Sequence, residues 1–124
     1  MEEKKKVVYL LGPFDSESGL DDYAAVDDML TDLGFATISS VHIPGGMDKT
    51  KAHFIAASMI NSADAVMVLP NWQTSEDAVV EHHLAICFGK SRVYIPAGYD
   101  KLPRNTAMEC LKHDMERALG EVSA

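Results

Sequence analysis

The sequence has few of the features that mark disulfide-rich, redox or membrane proteins. It contains only two cysteines, Cys87 and Cys110, and they form no CxxC motif. Both fall on apolar helical positions, so we expect buried free thiols and not a disulfide. The apolar run VVYLLG at 7–12 is far shorter than the roughly 18 residues needed to cross a bilayer, and no stretch resembles a signal peptide. A cytoplasmic protein without a membrane partner is therefore expected.

Basic residues are also scarce. The chain has 11 Lys and Arg residues against 19 Asp and Glu residues, a formal net charge of −8. Such a chain repels the backbone of a nucleic acid unless a local basic patch intervenes. The one dense basic run, Lys4 to Lys6, precedes an apolar strand and is typical of a solubilising flank. We therefore expect no nucleic-acid polymer as a partner.

Motifs for common cofactors and for several enzyme classes are missing. The segment GPFDSESG at 12–19 has neither the GxGxxG pattern of dinucleotide-binding proteins nor the phosphate loop GxxxxGK[ST]. No GxSxG nucleophile elbow is present. His83 and Cys87 have the i, i+4 spacing of metal ligands, but no HExxH or paired-cysteine motif accompanies them. We predict neither a cofactor nor a metal.

What the sequence does contain is a regular alternation of apolar strands and amphipathic helices. Strands are predicted in KVVYLLG at 6–12, FATISSVHI at 35–43, DAVMVLP at 64–70 and RVYIPAG at 92–98. Helices are predicted over 20–33, 48–61, from Thr74 or Ser75 to 88, and 103–119. This order indicates a single-domain α/β protein, a flavodoxin- or Rossmann-like three-layer sandwich with a mainly parallel sheet of four or five strands.

One acid stands out in the segment NWQTSEDAVVEHHLAICF at 71–88. Glu81 falls on the same helical arc as four apolar residues, Ala78, Leu84, Ala85 and Phe88. Because helical side chains lean toward the N-terminus, its carboxylate points to the carboxyl ends of the strands, where ligands bind in open parallel sheets. A carboxylate among apolar groups has a raised pKa, which suits a nucleophile or an acid and base. The alternative is a glutamate that reaches solvent or pairs with Arg92 or a lysine.

Ser75, at the start of the same helix, has two readings as well. It is a good helix cap, worth roughly 1 kcal/mol, and it could also contact an oxygen or a phosphate at the positive helix end. The adjacent Glu76 and Asp77 already complement the helix dipole and would repel a dianion. This favours a substrate without a phosphate, or one whose phosphate another group neutralises.

Three segments together resemble a known family. They are VYLLGPF at 8–14, ADAVMVLPNWQTSEDAVVEHHLA at 63–85 and GKSRVYI at 89–95. The spacing W-x-x-S-x-x-A-x-x-E is the most specific part of the match. The chain is similar, over about residues 7–96, to the nucleoside 2-deoxyribosyltransferase-like proteins, and within them to the branch called DUF4406.

The resemblance implies a specific chemistry. In that family a glutamate at the place of Glu81 attacks the sugar C1′ and forms a glycosyl-enzyme, which water or another base resolves. Tyr9 matches an aromatic hydroxyl that orients this glutamate, and Ser75 matches a serine that contacts a 5′ phosphate in members that hydrolyse nucleotides. The remaining substrate-binding positions that the resemblance implies are Gly12, Pro13, Phe14, Trp72 and Asp77. It also implies a homo-oligomer.

Two departures from the family pattern qualify this reading. The second acid of the family lies eight residues before the aspartate of the DAV strand, and counting back from Asp64 gives Ala56. Asp77 stands where the family has glycine. Asp15 or Asp48 could replace the missing acid in space.

Three functions follow from these observations. The first is an enzyme that breaks the N-glycosidic bond of a nucleoside or nucleotide, as a deoxyribosyltransferase or a hydrolase. The second is a non-catalytic module that still binds nucleosides but has lost the second acid. The third is a scaffold without a small ligand, which would have no pocket around Tyr9 and Glu81.

Overall fold

The central sheet has four parallel strands. A computed structural model of the chain describes residues 4–120. The strands are β1 (Val7–Leu11), β2 (Ala36–Ser39), β3 (Ala65–Val68) and β4 (Arg92–Tyr94), and the helices are α1 (Glu17–Asp32), α2 (Lys49–Ser62), α3 (Glu76–Cys87) and α4 (Arg104–Ala118). The strand order is β2-β1-β3-β4, and all three strand pairs are parallel. The predicted α/β class with a parallel sheet is confirmed.

Each face of the sheet is covered by two helices, which makes three layers. On one face, Val8 and Leu10 of β1 pack in a cluster with apolar residues of α1 and α4, among them Leu30 and Leu111. On the other face, Tyr9 and Leu11 share a cluster with residues of α2 and α3. Because a strand alternates its side chains between faces, burial on both sides requires an unbroken apolar run, which is what β1 has.

The strand order reverses direction at β1, and this is where a ligand crevice is expected in an open parallel sheet. The chain leaves β1 for β2 on one side and then crosses to β3 on the other side of β1. Open parallel sheets bind ligands at such a point, beyond the carboxyl ends of the two neighbouring strands. Here those ends are adjacent, since the Leu69 amide donates a hydrogen bond to the Leu11 carbonyl over 2.8 Å.

Two element boundaries differ from the sequence prediction for local reasons. Helix α1 begins at Glu17, three residues before the predicted Leu20, because the Ser16 hydroxyl accepts a hydrogen bond from the Gly19 amide and caps the helix. Strand β2 ends at Ser39, and the rest of the predicted strand, up to residue 42, is a single 3₁₀ turn. The prediction of a strand through 43 is therefore wrong. The turn supplies part of the pocket described below.

The prediction that both cysteines are buried is also wrong. Cys87 and Cys110 are free but exposed. The buried positions of α4 are Ala107, Leu111 and Met115, and Cys110 is one residue, about 100°, away from that stripe. Cys87 is likewise two residues past Ala85, on the outer side of α3. No helix of the described residues 4–120 is both long and apolar enough to cross a membrane.

Gly19 holds helix α1 close to the loop that follows β1. A Cβ atom at this position would lie 1.9 Å from the carbonyl oxygen of Pro13, a contact that only a backbone shift can relieve. We expect Gly19→Ala to destabilise the protein by about 1–3 kcal/mol, because the clash exceeds the small helix-propensity gain of alanine. Urea unfolding measures the change.

Gly45→Ala is the matched control for this substitution. No atom lies within 4 Å of a Cβ placed there, and the backbone of Gly45 does not have a positive φ. The expected change in unfolding free energy is within about 0.5 kcal/mol, or slightly stabilising. Equal effects of the two substitutions would show that the contact between Gly19 and Pro13 is unimportant.

Candidate active site

The centre of the site is a hydrogen bond between two buried side chains. Tyr9 projects from β1 toward α2 and α3 and has no exposed surface, while Glu81 of α3 is 3% exposed. The Tyr9 hydroxyl donates to Oε1 of Glu81 over 2.5 Å. Glu81 lies on the buried side of α3 with Ala78 and Ala85. It is therefore neither at the surface nor paired with Arg92, whose guanidinium contacts the Lys90 carbonyl.

Burial controls the ionisation of this pair. Loss of solvent raises the pKa of Glu81 to about 7, the hydrogen bond from Tyr9 opposes that rise, and the charge of Asp77 reinforces it. Burial, followed by the charge of Glu81, raises the pKa of Tyr9 far above its ordinary value. Tyr9 therefore remains a hydrogen-bond donor at any pH near neutral. Glu81 is close to half ionised at pH 7 and can act as a carboxylate above it.

Ser75 begins helix α3 and caps it. Its hydroxyl accepts a hydrogen bond from the Ala78 amide over 3.3 Å, and the residue is almost fully buried. Of the two predicted N-caps, Thr74 and Ser75, the cap is Ser75. This cap fixes the first turn of α3, so that Asp77 and Glu81, one turn apart, project from the same side of the helix.

Two adjoining cavities meet at Glu81. One, of about 290 Å³, lies between α2 and the segment after β2, and its walls include Ala52, His53 and Ala56. The other, of about 360 Å³, lies at the ends of β1 and β3 and includes Gly12, Asp15 and Ser75. Five residues line both cavities: Phe14, Ser40, Lys49, Asp77 and Glu81. Glu81 thus faces a crevice large enough for a small organic ligand.

Comparison with known proteins establishes the family. Residues 6–94 match the sequence pattern of a domain of unknown function, DUF4406. The chain belongs to the DUF4406 family. The resemblance drawn from the strand and helix motifs is thereby confirmed. No curated protein matches the sequence of this DUF4406 protein.

Two solved structures share the fold of this DUF4406 protein. A 2-deoxyribosyltransferase from the psychrotolerant bacterium Bacillus psychrosaccharolyticus has a TM-score of 0.62 and 21% identity, over 73% of this chain and 72% of that one. A CMP N-glycosidase from Clostridium botulinum has a TM-score of 0.63 and 14% identity, over 87% of this chain and 99% of that one. At such low identity the likeness concerns the fold.

The structure brings most of the predicted site residues of the DUF4406 protein together. One or both cavities are lined by Gly12, Phe14, Ser75, Asp77 and Glu81. Tyr9 lines neither cavity but donates a hydrogen bond to Glu81.

The other predicted positions lie apart from these cavities. Pro13 turns its carbonyl toward Gly19 and is not part of either wall. Trp72 stacks on the ring of His82, with centroids 4.0 Å apart, and borders a separate depression next to Tyr94. Of the acids considered as replacements, Asp15 lines the second cavity, whereas Asp48 caps α2 by accepting a hydrogen bond from the Lys51 amide.

Sequence reasoning missed two residues of α2. The Nε2 atom of His53 lies 3.2 Å from Oδ1 of Asp77, and Nζ of Lys49 is 3.8 Å from the same oxygen. Lys49, His53 and Ala56 are spaced i, i+4, i+7, so they follow one face of the helix. This spacing is the feature of the sequence that could have indicated that the three residues share one side of α2. Within residues 4–120, no three His, Cys, Asp or Glu side chains gather in a way that could hold a metal ion.

Proposed function

We propose that this protein breaks the N-glycosidic bond of a nucleoside or nucleotide, with Glu81 as the nucleophile on the sugar C1′. The observation that carries the proposal is the buried Glu81, hydrogen-bonded to Tyr9 at the junction of two cavities. The fold shared with a 2-deoxyribosyltransferase and a CMP N-glycosidase supports the same reaction class.

The geometry suits a displacement at carbon. Tyr9 holds Oε1 of Glu81, and among the described residues Oε2 has no hydrogen-bond partner. In the proposed reaction an oxygen of the carboxylate bonds to C1′, the C1′–N bond breaks, and the electron pair leaves with the base. The resulting ester is resolved by water or by a second base, so hydrolysis and base exchange pass through one intermediate. Tyr9 orients the carboxylate in each step.

The charges around Ser75 favour a substrate without a 5′ phosphate. The cavity there is lined by Asp15, Asp77 and Glu81, while Lys49 is the one basic residue among its lining side chains. A phosphate dianion in this cavity meets several like charges and a single cation. A sugar hydroxyl carries no such cost, so nucleosides are the preferred class.

Incubation of the wild-type protein with deoxynucleosides, ribonucleosides and their 5′-monophosphates tests the proposal. We expect free base from at least one nucleoside, and a kcat/KM about 10-fold or more below that value for its monophosphate. Chromatography of the released base measures both. Absence of base release and of base exchange across the whole panel would overturn the proposal.

A binding module without catalysis is the second candidate, and Ala56 favours it. Ala56 is buried in the wall of the cavity that Glu81 faces, so a methyl group stands where the family carries an acid. This alternative expects nucleosides to raise the melting temperature without any turnover. The third candidate is a scaffold without a small ligand, which predicts no pocket beside Glu81. The two cavities at Glu81 argue against it.

The homo-oligomer implied by the family resemblance stays a prediction. Several apolar side chains on the outer sides of α2 and α3 are exposed, namely Phe54, Ile55, Val79, Val80 and Ile86. An exposed apolar surface of this kind is typical of a protein contact.

A further inference from the structure

The two departures from the family pattern line the same cavity. Ala56, in place of an acid, is on α2, and Asp77, in place of glycine, is on α3. Both line the cavity that Glu81 faces. His53 contacts Asp77, lies about one turn before Ala56 on the same face of α2, and also lines the cavity. The histidine at position 53 thus contacts the acid gained at position 77 and lies on the same helix face as position 56, where the family's acid is missing.

We propose that His53, oriented by Asp77, is the acid and base that replaces the missing carboxyl group at position 56. This inference rests on the proposed function. His53 is a catalytic residue in this scheme, because it exchanges a proton with the leaving base, whereas Asp77 is a positioning residue.

The contact between the two side chains fixes the roles of the ring nitrogens. A carboxylate only accepts hydrogen bonds, so Nε2 of His53 carries the proton that faces Oδ1 of Asp77, 3.2 Å away. Nδ1 has no hydrogen-bond partner among the described residues, and the side chain is one-third exposed. Nδ1 is thus the nitrogen free to exchange a proton with a ligand, in the manner of a histidine that a carboxylate holds in one tautomer.

Lys49 completes the arrangement on the same face of α2. Its Nζ lies 3.8 Å from Oδ1 of Asp77, so two cationic or proton-donating groups converge on one carboxylate oxygen. This anchors the Asp77 side chain at the cavity wall. A glycine at position 77 provides no such anchor, and His53 would then have no partner there.

The proton transfers balance in both half-reactions. In the first, Glu81 bonds to C1′, the C1′–N bond breaks, and protonated His53 gives its Nδ1 proton to the leaving base. In the second, neutral His53 takes a proton from water, the water oxygen bonds to C1′, and the C1′–O bond to Glu81 breaks, returning its electron pair to the carboxylate. The enzyme ends in its starting protonation state. General acid–base catalysis of this kind typically contributes about 10²- to 10⁴-fold.

The leaving group provides the test. 2′-Deoxyguanosine needs a proton on its base to leave, whereas 7-methyl-2′-deoxyguanosine carries a permanent positive charge and releases a neutral base without one. We expect His53→Gln to lower kcat for 2′-deoxyguanosine by about 10²-fold or more, but kcat for the methylated substrate by less than about 5-fold. Asp77→Asn should show the same selective pattern with a smaller loss.

Two variants serve as matched controls. His113→Gln makes the same change on the exposed side of α4, and Glu109→Gln removes the charge of an exposed carboxylate on the same helix. Both should keep the wild-type ratio of the two rates. The ratio is taken within one preparation, so partial unfolding of a variant cancels.

The outcomes separate this inference from the proposed function. Equal losses for both substrates in His53→Gln, or no loss for either, would overturn the role of His53 while leaving Glu81 as the nucleophile. If the wild-type protein releases base from neither substrate nor from any other nucleoside, the proposed function fails and this inference fails with it.

Discussion

Glu81→Gln is expected to lower the rate of base release by about 10³-fold or more, to the background of the assay. The amide has the same size and still accepts a hydrogen bond from Tyr9, but its oxygen is a poor nucleophile and cannot form the glycosyl ester. Removing the nucleophile of a covalent mechanism typically has effects of this order or larger. The measurement is single-turnover base release with the best nucleoside of the panel.

Nucleoside affinity of the same variant gives the control. The proposed role affects the chemical step, so the dissociation constant from calorimetry should change by less than about 10-fold. Tyr9→Phe, which removes the hydroxyl that contacts Oε1 of Glu81, should lie between the wild type and Glu81→Gln in rate. Turnover of Glu81→Gln at the wild-type rate would contradict the assignment of Glu81 as nucleophile.

The fold could be predicted because its signals are local. Unbroken apolar strands and amphipathic helices alternate along the chain, and a parallel sheet covered on both sides is the arrangement that buries all of them. Glu81 could be predicted for the same reason, since its place among Ala78 and Ala85 follows from the helical period. Both residues and Glu81 are indeed buried.

The partners of Glu81 could not be predicted in this way. Every residue of β1 is apolar or aromatic, so its pattern does not reveal that Tyr9 faces α3 and Leu10 faces α1 and α4. Only the family resemblance linked Tyr9 to Glu81, which is 72 residues away. The contact between His53 and Asp77 is similarly a product of the packing of α2 against α3. The periodicity of a single helix or strand does not indicate which residues of other elements it contacts.

The Glu81→Gln substitution should also change how stability depends on pH. The pKa of Glu81 is about 7 in the folded protein, mainly because the side chain is buried, against an ordinary value of 4.5. Below pH 4.5 the carboxyl group is protonated in both states and costs nothing. As the pH rises toward 7, the unfolded chain ionises first, so the folded state loses stability relative to it. Above pH 7 the full cost remains, roughly 3 kcal/mol.

We therefore expect the unfolding free energy of Glu81→Gln to rise relative to that of the wild type as the pH increases. The relative gain between pH 4 and pH 8 should be roughly 3 kcal/mol. Urea unfolding of both proteins at each pH measures it, and all other titrating groups cancel because the proteins share them. Glu76→Gln, which alters an exposed carboxylate, should show little such change. Base release by the wild type from 7-methyl-2′-deoxyguanosine, which needs no proton from His53, should rise across the same interval with a midpoint near pH 7, because the ionised carboxylate of Glu81 is the form that attacks C1′. A flat difference between the two proteins from pH 4 to 8 would show that Glu81 is not held in a raised-pKa environment.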